Sequence, residues 1–198
     1  MSINLSKGQT ISLSKDGGGG LTRVFMGCGW DPAQQKKKGF FSGLLGGGAA
    51  DEIDLDASVI LFDGNRAEVD MVYYGQLNSK DGSIRHGGDN LTGAGDGDDE
   101  VIYVDLARLD SRVHYLVFTV NSFRGQTFNE VENAFARLVD ETAGKEICRY
   151  QLAEQGPHTG VIMASMAKTG TGWQMTAHGR PADGRSARDI AAAAAAIL

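Results

Sequence analysis

The stretch 53-IDLDASVILF-62 sets two carboxylates, Asp54 and Asp56, at alternate positions, with Leu55 and Ala57 between and beyond them. On a strand, residues two apart share a face, so both acids point one way and the apolar residues the other. Their Cα atoms then stand about 6.5–7 Å apart. The rest of the stretch, Val59 to Phe62, is rich in β-branched and aromatic residues, which suit a pleated, buried surface. A strand is predicted here, and the pattern recurs on both sides of it.

Working outward, 9-QTISLS-14, 21-LTRVFMGC-28, 69-VDMVYYG-75, 100-EVIYVDL-106 and 113-VHYLVFTV-120 read as strands. So do 146-EICRYQLA-153, 160-GVIMASMAK-168 and 172-GWQMTAHG-179. Short strands separated by turn signals predict a mainly β chain, a β-sandwich of two antiparallel sheets. The 28 glycines fit its tight turns. A few peripheral helices are expected, over about 127–143 and 186–198. In the first, Val131, Phe135, Leu138 and Val139 recur at helical spacing, Thr127 and Glu130 form a capping box, and Gly144 supplies a stop. The second opens at Ser186 and continues in alanine, the best helix former.

The 198 residues are expected to form a single domain over 1–198, with a flexible insertion at about 31–51. A 41% hydrophobic and 22% charged composition is that of a globular protein. The net charge of −6 argues against a nucleic-acid partner, since phosphate binding favours a basic surface. Neither a signal-peptide pattern nor an apolar run of about 18 residues is present, so a cytoplasmic location is expected. Cys28 and Cys148 sit in strand-like apolar surroundings and read as buried, reduced thiols. Within the insertion, Lys36, Lys37 and Lys38 precede Phe40, Phe41, Leu44 and Leu45. The favoured reading is a loop folded back on the domain, and the other is peripheral membrane contact through 36–45.

The strongest chemical signal lies in 87-GGDNLTGAGDGDDE-100, where Asp96, Asp98, Asp99 and Glu100 crowd into five residues without a lysine or arginine. Like charges so close repel. A hard divalent cation offsets this, because Ca²⁺ takes six to eight oxygen ligands at about 2.3–2.6 Å in adaptable geometry. Gly93, Gly95 and Gly97 allow the backbone to wrap such an ion, and Asn90 and Thr92 add neutral oxygens. The loop is not an EF-hand: Leu91 and Gly93 stand at ligand positions and Ala94 replaces the required glycine. Set against this loop, Asp54 and Asp56 would complete one ion site or help make two.

Catalytic motifs are missing. No G-x-S-x-G elbow, H-E-x-x-H zinc motif or phosphate-binding glycine loop occurs, and His86, His114, His158 and His178 are scattered. The alternative enzyme reading is a Mg²⁺- or Mn²⁺-dependent phosphoester hydrolase using the same acidic cluster, with Arg85, His86 and Arg124 as the nearest candidates for a base or charge clamp. A calcium-dependent lectin would suit the sandwich, but the sequence lacks an export signal.

The motifs 4-NLSKGQTISLSK-15, 27-GCGWD-31, 54-DLDAS-58, 88-GDNLTGAGDGDDE-100 and 128-FNEVENAFARL-138 resemble the TerD family of bacterial tellurite-resistance and stress-response proteins. The resemblance implies a β-sandwich that binds one or two Ca²⁺ ions through this loop and the DLDAS carboxylates. Carried over by position, the implied metal ligands are Asp54, Asp56, Asp89, Asn90, Asp96, Asp98, Asp99 and Glu100. Ala94 stands where many members carry Glu, and the lysine- and glycine-rich insertion departs from the shorter members. The expected function is therefore a Ca²⁺-binding stress-response protein associated with tellurite resistance, a calcium-dependent interaction module rather than a catalyst. Other Ter-type proteins and a TerC-type membrane protein are the partners the resemblance implies.

Overall fold

The computed structural model describes residues 2–13, 20–32, 54–88, 97–153 and 155–198. Twelve strands form two six-stranded sheets. The first sheet has the order β1 (Ile3–Leu5), β10 (Lys145–Gln151), β9 (Val131–Asp140), β3 (Arg23–Pro32), β7 (Glu100–Asp105) and β6 (Ile84–His86). The second has the order β2 (Thr10–Ser12), β12 (Gly172–Ala182), β11 (Gly160–Thr169), β8 (Tyr115–Ser122), β4 (Leu55–Phe62) and β5 (Glu68–Val72). All pairings are antiparallel except β1 with β10, which is parallel, so the first sheet departs from the expected antiparallel pattern at one edge.

The main core lies between the sheets. Val24, Met26, Cys28 and Trp30 of β3 meet Leu55, Ala57, Val59 and Leu61 of β4 there, with Leu116, Phe118 and Val120 of β8. The alternate residues Ile60 and Phe62, with Val117 and Ile162, face the other side of the second sheet. That side is covered by α1 (Ala187–Ala195) through Ala187, Ile190 and Ala194. Ser186 caps α1, and Asp189 returns a bond to the Ser186 backbone N–H at 3.0 Å.

The helix expected over about 127–143 is not formed. Its capping box is real, but Glu130 accepting from the Thr127 N–H opens only a single 3-10 turn, Phe128–Glu130. The chain then continues as β9. Asn133 has φ +53, and the register with β3 slips between Gly29 and Asp31. This irregularity carries the inward positions from Val131 to Ala134, then on by twos to Ala136 and Leu138. A three-residue step inserted in a two-residue pattern imitates helical spacing. Gly144, with φ +60, closes the turn between β9 and β10 rather than a helix. In the insertion at about 31–51, Asp31 and Pro32 end β3, and residues 33–51, including the 36–45 segment, lie outside the described residues.

Candidate metal centre

The period-two geometry of β4 places Asp54, Asp56 and Ser58 on the outer face of the second sheet. On the neighbouring strand Asn121 stands opposite Asp56, and Thr119 opposite Ser58. This face is not solvated at that end: Asp54 is 6%, Asp56 4% and Asn121 1% exposed. Arg124 Nε lies 3.0 Å from Asp54 Oδ2, and Asn121 donates its amide N–H to the Arg185 carbonyl at 2.8 Å. Those contacts leave acceptors over. Asp54 Oδ1, Asn121 Oδ1, Ser58 Oγ and Thr119 Oγ1 are buried and have no hydrogen-bond partner among the described residues. A buried polar atom left unsatisfied costs about 1–3 kcal/mol, and more for a charged group. The unmet atoms are all oxygen, the donor type a hard cation prefers over nitrogen or sulfur.

Glu100 approaches the same end of β4 from the inter-sheet side. β5 pairs with β4 only from Val59 onward, so Ala57 has no backbone partner along that edge. Side chains of the first sheet replace it. Glu100 Oε2 accepts from the Ala57 N–H at 2.6 Å, and His86 Nε2 donates to the Ala57 carbonyl at 3.0 Å. His86 Nε2 also stands 3.4 Å from Glu100 Oε2, both side chains fully buried. Gly88 N–H donates to His86 Nδ1 at 3.2 Å, which puts the proton of the neutral ring on Nε2. Burial pushes the His86 pKa down, but the Glu100 bond and charge, the Ala57 carbonyl and the Asp56 charge together push it up, and the net direction is up. Asp56 thus lies within electrostatic reach of this pair.

Asp98 and Asp99 have partners on the first sheet. Asp98 lies on the outer face of the first sheet, its oxygens bound by Arg137 Nε at 2.6 Å and Nη2 at 2.7 Å. It sits directly over Gly27, where any Cβ would collide with its carboxyl group. Asp99 Oδ2 accepts from the Trp30 N–H at 2.8 Å. Burial raises the Asp99 pKa, the Trp30 bond opposes it, and the charges of Asp31 and Asp98 add to the rise. Asp89, Asn90 and Asp96 lie outside the described residues. Of the ligand set implied by the resemblance, then, the structure gathers Asp54, Asp56 and Glu100 around one end of β4, puts Asp98 on the outer face of the first sheet, and sets Asp99 on the Trp30 N–H. Among the described residues no group of three or more His, Cys, Asp or Glu side chains stands in metal-holding geometry. The described part of the site is built of two carboxylates plus amide and hydroxyl oxygens. Asn121 and Thr119 were not singled out from the sequence, because only the register of β8 against β4 brings them there, whereas Arg124 was named there as a charge-clamp candidate and stands on Asp54.

A family model for the TerD domain matches residues 1–191. The chain belongs to the TerD family. It is 51% identical to the tellurium resistance protein TerZ of Serratia marcescens over 188 residues, covering 95% of this chain and 94% of that one. Against the stress response protein SCP2 of Bacillus subtilis it is 40% identical over 197 residues, covering 96% and 98%. It is 35% identical to the tellurium resistance protein TerD of Serratia marcescens, over 91% of each chain. A crystal structure of a TerD homologue from Streptomyces coelicolor A3(2) superimposes with a TM-score of 0.67 at 20% identity, covering 87% of this chain and 96% of that one, a likeness of fold. TerD relatives of nearly equal length thus carry tellurium-resistance and stress-response names.

Proposed function

We propose that this TerD-family protein is a cytoplasmic Ca²⁺-binding module of the tellurite-resistance and stress response that acts by calcium-dependent interaction and not by catalysis. The observation that carries the reading is the pair of buried acceptors Asp54 Oδ1 and Asn121 Oδ1, unmet among the described residues and beside the Asp56 carboxylate. Asp54, Asp56 and Asn121 would hold the ion from the sheet, and Asp89, Asn90 and Asp96 would reach it from the loop. One or two Ca²⁺ ions would supply the positive charge that the crowded acids need. Arg124, now on Asp54, is the group that ion binding would free.

The chemistry of the remaining groups supports a non-catalytic role. Burial, with the charges of Glu100, Asp98 and Asp99, drives the Cys28 pKa far above the ordinary thiol range. Burial likewise pushes Cys148 up to about 12. Both stay protonated, the poor form for attack on an oxyanion such as tellurite. Ser165 and His178 are 2.8 Å apart, but no carboxylate orients His178 Nδ1 among the described residues. The candidates for a phosphoester hydrolase are each already engaged: Arg85 stacks on Tyr103 at 4.2 Å, His86 is held by Glu100, and Arg124 by Asp54. Other Ter-type proteins and a TerC-type membrane protein are the proposed partners.

A thermal melt tests the reading. A ligand of the native state at a hundredfold excess over Kd adds about 2.7 kcal/mol. Ca²⁺ is expected to raise Tm by several degrees, Mg²⁺ to do less, and Asp56→Asn to abolish the Ca²⁺ rise. Equal stabilisation of wild type and Asp56→Asn would contradict it.

A further inference from the structure

The large apolar side chains exposed among the described residues are Ile3, Tyr74, Leu77 and Phe123. Two of them meet. Tyr74, in the turn after β5, and Phe123, in the turn after β8, pack edge to face with ring centroids 5.4 Å apart, and Tyr73 adds a ring 5.3 Å from Tyr74. Phe123 is 51% exposed and Tyr74 36%. These rings rim the candidate ion site. Arg124, next to Phe123, is the residue on Asp54, and its side chain is half exposed.

The form of this patch points to its occupant. Protein interfaces engage about 20–30 residues a side. Here a few rings and one guanidinium project from two turns, 73–76 and 122–125, at one end of the sandwich. Aromatic side chains with one polar end suit the boundary between water and lipid. Charge decides when the surface is permissive. Without an ion the two aspartates outnumber Arg124 and repel an anionic surface. Each divalent ion bound there adds two positive charges and can take phosphate oxygens as further ligands.

We infer that turns 73–76 and 122–125 form a Ca²⁺-dependent docking tip for an anionic phospholipid surface, with Phe123 and Tyr74 entering the interface and Arg124 meeting lipid phosphate. The inference rests on the ion-site reading above and uses none of residues 36–45.

The test is sedimentation of the full chain with phosphatidylcholine vesicles, with and without phosphatidylserine, in Ca²⁺, Mg²⁺ or chelator, beside calorimetry of Ca²⁺ binding without lipid. Binding is expected only with phosphatidylserine and Ca²⁺ together. The Phe123→Ala, Tyr74→Ala double variant is expected to keep its Ca²⁺ heat and its melt while losing about tenfold in vesicle affinity, as the loss of two partly buried rings implies. Ca²⁺ heat without vesicle binding, or vesicle binding indifferent to the double variant, would overturn the docking tip and leave the ion site standing. No Ca²⁺ heat at all would overturn both.

Discussion

Asp98 shows how a single residue in an acidic run can differ in role from its neighbours. Arg137 grips it with two nitrogens, and Glu146 lies 3.3 Å from Arg137 Nη1 on the far side of the guanidinium. The Asp98 side chain is 8% and Arg137 26% exposed, between the surface and buried regimes of ion pairing. Asp98→Ala would strand a half-buried guanidinium and is expected to cost about 2 kcal/mol in urea unfolding. Its Ca²⁺ affinity is expected to stay within a few-fold of wild type, because Asp54, Asp56 and Asn121 stand on the other sheet. Loss of Ca²⁺ binding with stability intact would return Asp98 to the ligand set. The pairing of Asp98 with Arg137 was not legible in the sequence: 39 residues separate them, and only β9 lying beside β3, with Gly27 leaving room, brings them together.

Element-scale behaviour turns on β9. If Val131–Asp140 is a strand, Leu138 belongs to the inter-sheet core while Phe135 lies outside it, under the Arg149 guanidinium at 4.2 Å. Leu138→Ala is then expected to cost about 2–5 kcal/mol. Phe135→Ala should cost about 1 kcal/mol, since it loses a stacking partner and partial burial. Equal costs would instead suit a helix with both residues on its buried side. The sequence was legible where the two-residue period ran unbroken, as in β4 and β8, and at α1, where capping and alanine content agree. It misled at β9 because the irregularity near Asn133 shifted the inward set. β1 and β6, three residues each, are too short for periodicity to register. Asp54 and Asp56 were legible as a same-face pair, but their burial was not, because α1 and the turns that close over that face are set by tertiary packing.

Across the whole molecule, carboxylates placed at several joins determine how it responds to acid. Burial pushes Asp70 up, but the Lys80 N–H, the Gln76 amide and the Lys80 charge bring its pKa below the ordinary value. Asp81 is lowered, against burial, by Ser79, Ser83 and the Asp110 N–H. Glu146 is lowered, against burial, by Ser2, Arg149 and Arg137, and so ties β1 to β10 and β9. A depressed folded pKa contributes stability that is present above the unfolded value and lost as pH falls through the folded one. The melting temperature is therefore expected to drop below about pH 4, near the ordinary carboxylate range. Asp70→Asn should lower it at neutral pH and flatten that acid limb. An acid limb as steep in the variant as in wild type would remove Asp70 from the account.

Calorimetric titration of the metal-stripped chain with Ca²⁺ and then Mg²⁺, beside an Asp54→Asn, Asp56→Asn variant, tests the central claim most directly. The buried, unmet oxygens at the start of β4 predict tight Ca²⁺ binding, weak Mg²⁺ binding and loss of both heats in the variant. A variant that binds Ca²⁺ like wild type, or a wild type that prefers Mg²⁺, would contradict it.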